Sequence, residues 1–171
     1  MPVDNGPLRI EAWGNFYLAT SAASATLVGL LFVIITLAAE RRPRSESERI
    51  RVYLTPTVAY FASVLLLATA LTFPTQSRLS ATLCCVVVGA VGTVYALSLL
   101  RNTERFRERQ DRWPYAFLPA GAFGLVGAGG VLMSTSDSNT GMTIVATAVL
   151  GLLAIGLRNS WAMAVTIIST H

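Results

Sequence analysis

The side chains able to do chemistry are few, and their spacing suits none of it. The single histidine is His171, so no Ser-His or Cys-His arrangement and no histidine pair for a metal can be assembled. Cys84 and Cys85 are neighbours in an apolar run. On a helix they point roughly 100° apart, and vicinal cysteines cannot close an unstrained disulfide, so they read as small apolar fillers. The nine acidic residues lie in the tails, the polar gaps or a charged segment after the third apolar run. None falls in the middle of an apolar run, which argues against a carboxylate relay inside a membrane. Neither an enzyme nor a cofactor is expected.

Arginine carries the pattern that remains. All thirteen basic residues are arginine, and eleven of them fall in every second gap between apolar segments. Arg41, Arg42, Arg44, Arg49 and Arg51 occupy the first gap, Arg101, Arg105, Arg107, Arg109 and Arg112 the third, and Arg158 follows the last long apolar run. The second gap holds only Arg78 and the N-terminal tail only Arg9. Retention of positive charge on the cytoplasmic side of a multi-span membrane protein produces this alternation. With 53% hydrophobic and 13% charged residues, against about 25% charged in an ordinary soluble domain, composition points the same way. The net charge of +4 therefore serves orientation and contact with anionic headgroups rather than nucleic acid. Arg41, Arg42, Arg44, Arg105, Arg109 and Trp161 are the candidate headgroup contacts.

The elements that must position these residues are five spans, expected at about 13–39, 57–73, 79–100, 115–133 and 141–157. Arg9 stands against Asp4 and Glu11 before the first span, while the arginine cluster follows it; a cleaved signal peptide has the reverse order. Thr55 and Pro56 are expected to open span two as cap and first helical residue. Ser45-Glu46-Ser47-Glu48 matches a capping box that would start a short surface helix toward Leu54. Span three is expected to run on as a charged cytoplasmic helix to about Trp113, with Glu108 placed to pair with Arg112. Asn139 or Thr140 is expected to cap span five. The fold class is thus an all-α polytopic transmembrane bundle forming one domain over 1–171. Its N-terminus is outside and its C-terminus cytoplasmic, with charged cytoplasmic segments at 40–55 and 101–113, in the cell's inner (plasma) membrane.

Two groups of residues could carry function in such a bundle. Arg158 and Asn159 interrupt an apolar stretch that resumes at Ala162 and is expected to stay helical to about 170. They therefore either sit at the interface with Trp161 or form a polar knot or pore mouth, with Glu40, Glu104 and Glu108 as possible partners for the charge. Thr20, Ser24 and Thr36 add hydroxyls to span one that could line a water-filled path, although hydroxyls are tolerated in any membrane helix by bonding back one turn. Small residues at four-residue spacing form the second group: Ser21, Ala25 and Gly29 in span one, Ala81, Cys85, Gly89 and Thr93 in span three, and Ala120, Gly124 and Ala128 in span four. Such stripes let helices approach closely, within a subunit or between subunits; span one is the preferred intersubunit face.

The stretch GLLFVIITL at 29–37, after the aromatic start FYLAT, together with RNSW at 158–161, resembles small bacterial inner-membrane proteins of four or five spans, especially from high-GC organisms. The lack of lysine and abundance of alanine and arginine fit that source. In that pattern an acidic residue follows the tryptophan; here the position is Ala162. The resemblance implies the class and brings no activity with it. Two functions are expected from the residues themselves. One is a homo-oligomeric ion channel or pore, whose subunits multiply one side chain into a ring. The other is a non-conducting interaction or scaffold protein that binds lipid or a soluble partner through its arginine-rich cytoplasmic face.

Overall fold

The computed structural model describes residues 10–41, 44–74, 77–101, 117–135 and 138–169. Among them are five helices and no strand: α1 (Ile10–Arg41), α2 (Arg44–Leu71), α3 (Arg78–Arg101), α4 (Leu118–Thr135) and α5 (Ser138–Ser169). Three segments are long and apolar enough to cross a membrane: Trp13–Thr36, Arg78–Leu99 and Asn139–Ala162. The apolar stretches Thr55–Leu71 and Leu118–Ser134 are shorter; each rises about 25 Å, a few ångströms under a typical hydrocarbon core. The outward surface is itself apolar. Leu66, Val91 and Val94 are each more than 60% exposed, as suits a protein whose outer solvent is lipid and whose backbone groups must be satisfied within helices.

Helix starts differ from those read in the sequence. Helix α2 begins at Arg44 and continues through Pro56, so proline does not open the span and Thr55 does not cap it. Pro56 removes one N–H from the ladder and leaves the carbonyl of Val52 without its helical donor, a loss the long helix absorbs. Ser45 accordingly lies inside the first turn of α2 rather than ahead of a separate surface helix. Asn139 and Thr140 fall inside α5, which starts at Ser138. At the other end of α2, the Thr72 N–H donates to Ala68 O and Thr69 O and the Phe73 N–H to Ala70 O, each at 3.2 Å. This tightened last turn ends the helix just before Pro74. The expected charged extension of α3 and the Glu108–Arg112 pair lie outside the described residues, as does His171.

Helices α2, α5, α4 and α3 form a closed four-helix group in that order around a common core, and α1 packs outside it, chiefly on α2. Trp13 meets Asn139 and Tyr17 meets Met142, so α1 and α5 run parallel. Residues 89, 92 and 130 of the α3–α4 contact face 127, 123 and 85, which makes that pair antiparallel. Arg41, Arg44, Arg101 and Arg158 consequently lie toward one end of the bundle and Arg78 toward the other. Tyr17, Tyr60, Phe123, Val126, Val145, Val149 and Leu152 are almost wholly buried at the centre. A second cluster, Leu31 and Phe61 with Leu27, Val28, Ile35, Val58 and Leu153, joins α1, α2 and α5 toward the arginine end.

Candidate functional site

Glycine sets how closely the inner helices approach. A Cβ added at Gly89 would lie 2.6 Å from the backbone nitrogen of Gly127, and one at Gly130 would lie 2.6 Å from Cβ of Cys85. On the other side of α4, a Cβ at Gly141 would meet the Gly129 carbonyl at 2.7 Å. The span-three stripe is therefore spent inside the subunit: Ala81, Cys85 and Gly89 are buried and half-buried Thr93 donates to the Gly89 carbonyl at 2.7 Å. Cys85 is a free thiol filling the space beside Gly130. Gly124, by contrast, is exposed with nothing within 4 Å of an added Cβ.

The hydroxyls of α1 do not line one path. Thr20 is buried and donates to the Phe16 and Tyr17 carbonyls of its own helix, both at 3.1 Å. Ser24, fully buried, reaches across to α2 and donates to the Phe61 carbonyl at 2.6 Å. Thr36 is exposed and donates to Val33 O at 2.9 Å. Thr36 follows Ser24 by twelve residues, which turns it about 120° around the helix, so it points away from the other two. The Ser24 bond joins two helices in a medium without water. Its loss in Ser24→Ala is expected to cost about 0.5–1 kcal/mol, read as a lower midpoint of SDS-driven unfolding; an unchanged midpoint would show that the bond contributes nothing.

Arg158 and Asn159 part company. Arg158 is exposed on the outer face of α5, with Leu157 and Trp161 56% and 73% exposed beside it. Asn159 is buried at 3% exposure, and neither its Oδ1 nor its Nδ2 has a hydrogen-bond partner. A joint Arg158–Asn159 knot is thus absent from the subunit, because successive helical residues point roughly 100° apart. Among the headgroup candidates, Arg41 and Arg44 are at helix ends on the arginine side of the bundle; Arg42, Arg105 and Arg109 lie outside the described residues.

The span-one stripe splits as well. Ser21 is half-buried and donates to Leu18 O at 2.8 Å, while Ala25 and Gly29 are exposed. Four-residue spacing advances 40° per step, so a line of such residues drifts from an inner face to an outer one. One line that stays on the outer face alternates by three and four, Asn15, Ala19, Ala22, Thr26, Gly29, Val33 and Thr36, every one exposed, with Leu18, Leu30 and Phe32 exposed beside it. Seven residues return within about 20°, which is why this line runs the length of the span. Only Val33 in it is a sizeable apolar residue. The signal was present in the sequence as a heptad and hidden by the four-residue reading. Among the described residues no cluster of His, Cys, Asp or Glu could hold a metal. No family model matches the chain, and no curated protein or solved structure matches it either.

Proposed function

We propose that the chain is a five-span protein of the inner (plasma) membrane, N-terminus outside and C-terminus cytoplasmic. In this reading it self-associates through the outer face of α1 and conducts ions along the axis between subunits. The two shorter apolar helices pair with the three long ones to complete the five spans, and the arginine end of the bundle faces the cytoplasm. The observation that carries the reading is the exposed line from Asn15 to Thr36. Lipid has no preference for a small-residue face, whereas a second helix gains close van der Waals contact along it. The core of a single subunit is filled by Tyr60, Phe123, Val126, Val149 and Leu152, so a conduction path belongs between subunits rather than within one.

The test pairs oligomer mass in detergent with ion flux from liposomes. The wild-type chain is expected to be an oligomer that passes ions. Thr26→Leu combined with Gly29→Leu is expected to yield a folded monomer with flux reduced at least about tenfold, since neither residue touches the subunit's own core. A monomeric wild type without flux sinks the channel. The position of Arg41, Arg44, Arg101 and Arg158 in the same half of the bundle, with Trp161 exposed on α5, favours a second reading, a non-conducting scaffold that binds anionic headgroups or a soluble partner. An oligomer that carries no current and sediments with anionic vesicles selects that reading.

A further inference from the structure

The inward line of α5 runs Met142, Val145, Val149, Leu152, Gly156 and Asn159, alternating by three and four residues and buried throughout. Every position but the last is apolar or glycine. Asn159 stands two turns after Leu152 on nearly the same line of the helix, with a polar amide where Leu152 presents two methyl groups. Its carboxamide is buried with both polar atoms unpartnered. An amide left so in a low-dielectric interior is unfavourable, and buried polar groups in folded proteins almost always have partners. Packing therefore does not account for the residue.

The surroundings restrict what could pair with it. A Cβ at Gly156 would lie 2.5 Å from Cε1 of Phe61, which fixes the register of α5 on antiparallel α2 and sets Asn159 level with Thr57 and Val58. Thr57 is buried and Val58 half-buried. The Ser160 hydroxyl already donates to the Gly156 carbonyl at 2.9 Å. Arg78 and Arg158, the charged side chains whose burial is described, are both exposed. A buried ion at this position would find no countercharge from them, and an unpaired buried charge is far costlier than an unpaired dipole. The carboxamide itself presents a donor and an acceptor side by side without net charge.

We propose that Asn159 is a hydrogen-bonding site, at the arginine end of the four-helix core, for a small uncharged polar molecule that both donates and accepts. The site is separate from the α1 face and stands whether or not the subunits conduct. Water and a primary amide share this chemistry, and the test distinguishes them. The protein is labelled with ¹⁵N-asparagine in lipid nanodiscs, and the Asn159 Nδ2 resonance is assigned by its loss in Asn159→Leu, or in Asn159→Ser if the leucine variant does not fold. Cross-relaxation from water to that resonance is expected if water is the guest. A saturable shift on titration with acetamide, absent from the other asparagines, is expected if the site takes an organic amide. A resonance that contacts only protein protons and does not move with acetamide overturns the proposal.

Discussion

Replacing Gly89 with valine is expected to cost at least about 3 kcal/mol, the upper end of what inserting side-chain atoms into a packed core costs, and to leave little folded bundle in detergent. A Cβ at this position would lie 2.6 Å and 2.7 Å from the nitrogen and Cα of Gly127 and 2.8 Å from the Phe123 carbonyl oxygen. All three are backbone atoms, which cannot turn aside as a side chain can, so α3 and α4 must separate. That pair makes the most extensive helix contact in the bundle. Moving it also breaks the contact of Gly130 with Cys85 and the seat of Phe123 against Gly92. Gly121→Val and Gly124→Val are the controls, because nothing lies within 4 Å of an added Cβ at either site. They are expected to stay within about 0.5 kcal/mol of wild type. The measurement is the midpoint of SDS-driven unfolding followed by far-UV circular dichroism; equal midpoints for Gly89→Val and Gly124→Val would refute the close α3–α4 approach.

The contrast among these glycines explains how far the sequence could be read. Apolar runs place the body of each of the five described helices, since composition defines an apolar segment, although α2 begins at Arg44 rather than at 57. Helix starts are harder. Thr55-Pro56 carries a helix-opening signal, yet α2 passes through it, because packing and low dielectric outweigh one missing hydrogen bond. Which face turns inward is harder still. In a soluble helix the apolar face is the buried one, but here Leu66 is 68% exposed while Leu67, its neighbour, is 1% exposed. Hydropathy does not separate them. Size does so only in part: Gly89 is inside and Gly29 outside, and what distinguishes them is the residue facing each from another helix. Asn159 shows the same limit for polar groups. RNSW marks a polar interruption in α5, but whether Arg158 or Asn159 turns inward depends on the rotation of α5 against α2, fixed by Gly156 and Phe61.

The ring of Phe123 tests that inward packing directly. Phe123 is 1% exposed, its centroid is 6.1 Å from that of Tyr60, and its ring occupies the space a Cβ on Gly92 would need. In a water-soluble core, phenylalanine to alanine costs about 3–5 kcal/mol, transfer and cavity terms together. In the five-span arrangement proposed above the transfer term shrinks, because lipid is as apolar as the core, and the lost dispersion contacts remain. Phe123→Ala is therefore expected to cost about 2–3 kcal/mol, the packing share of that soluble range. Gly92→Ala alone is expected to cost about 1–3 kcal/mol through collision with the ring. The two changes should not add. Once the ring is gone, the new methyl group at residue 92 enters the vacated space, so its collision disappears and part of the hole is filled. The double variant is expected to be more stable than the sum of the single effects by about 1–3 kcal/mol, the coupling typical of residues in direct contact. Strict additivity in the same SDS unfolding assay would mean that the Phe123 ring does not lie over Gly92, and the inward face assigned to α4 would then be wrong.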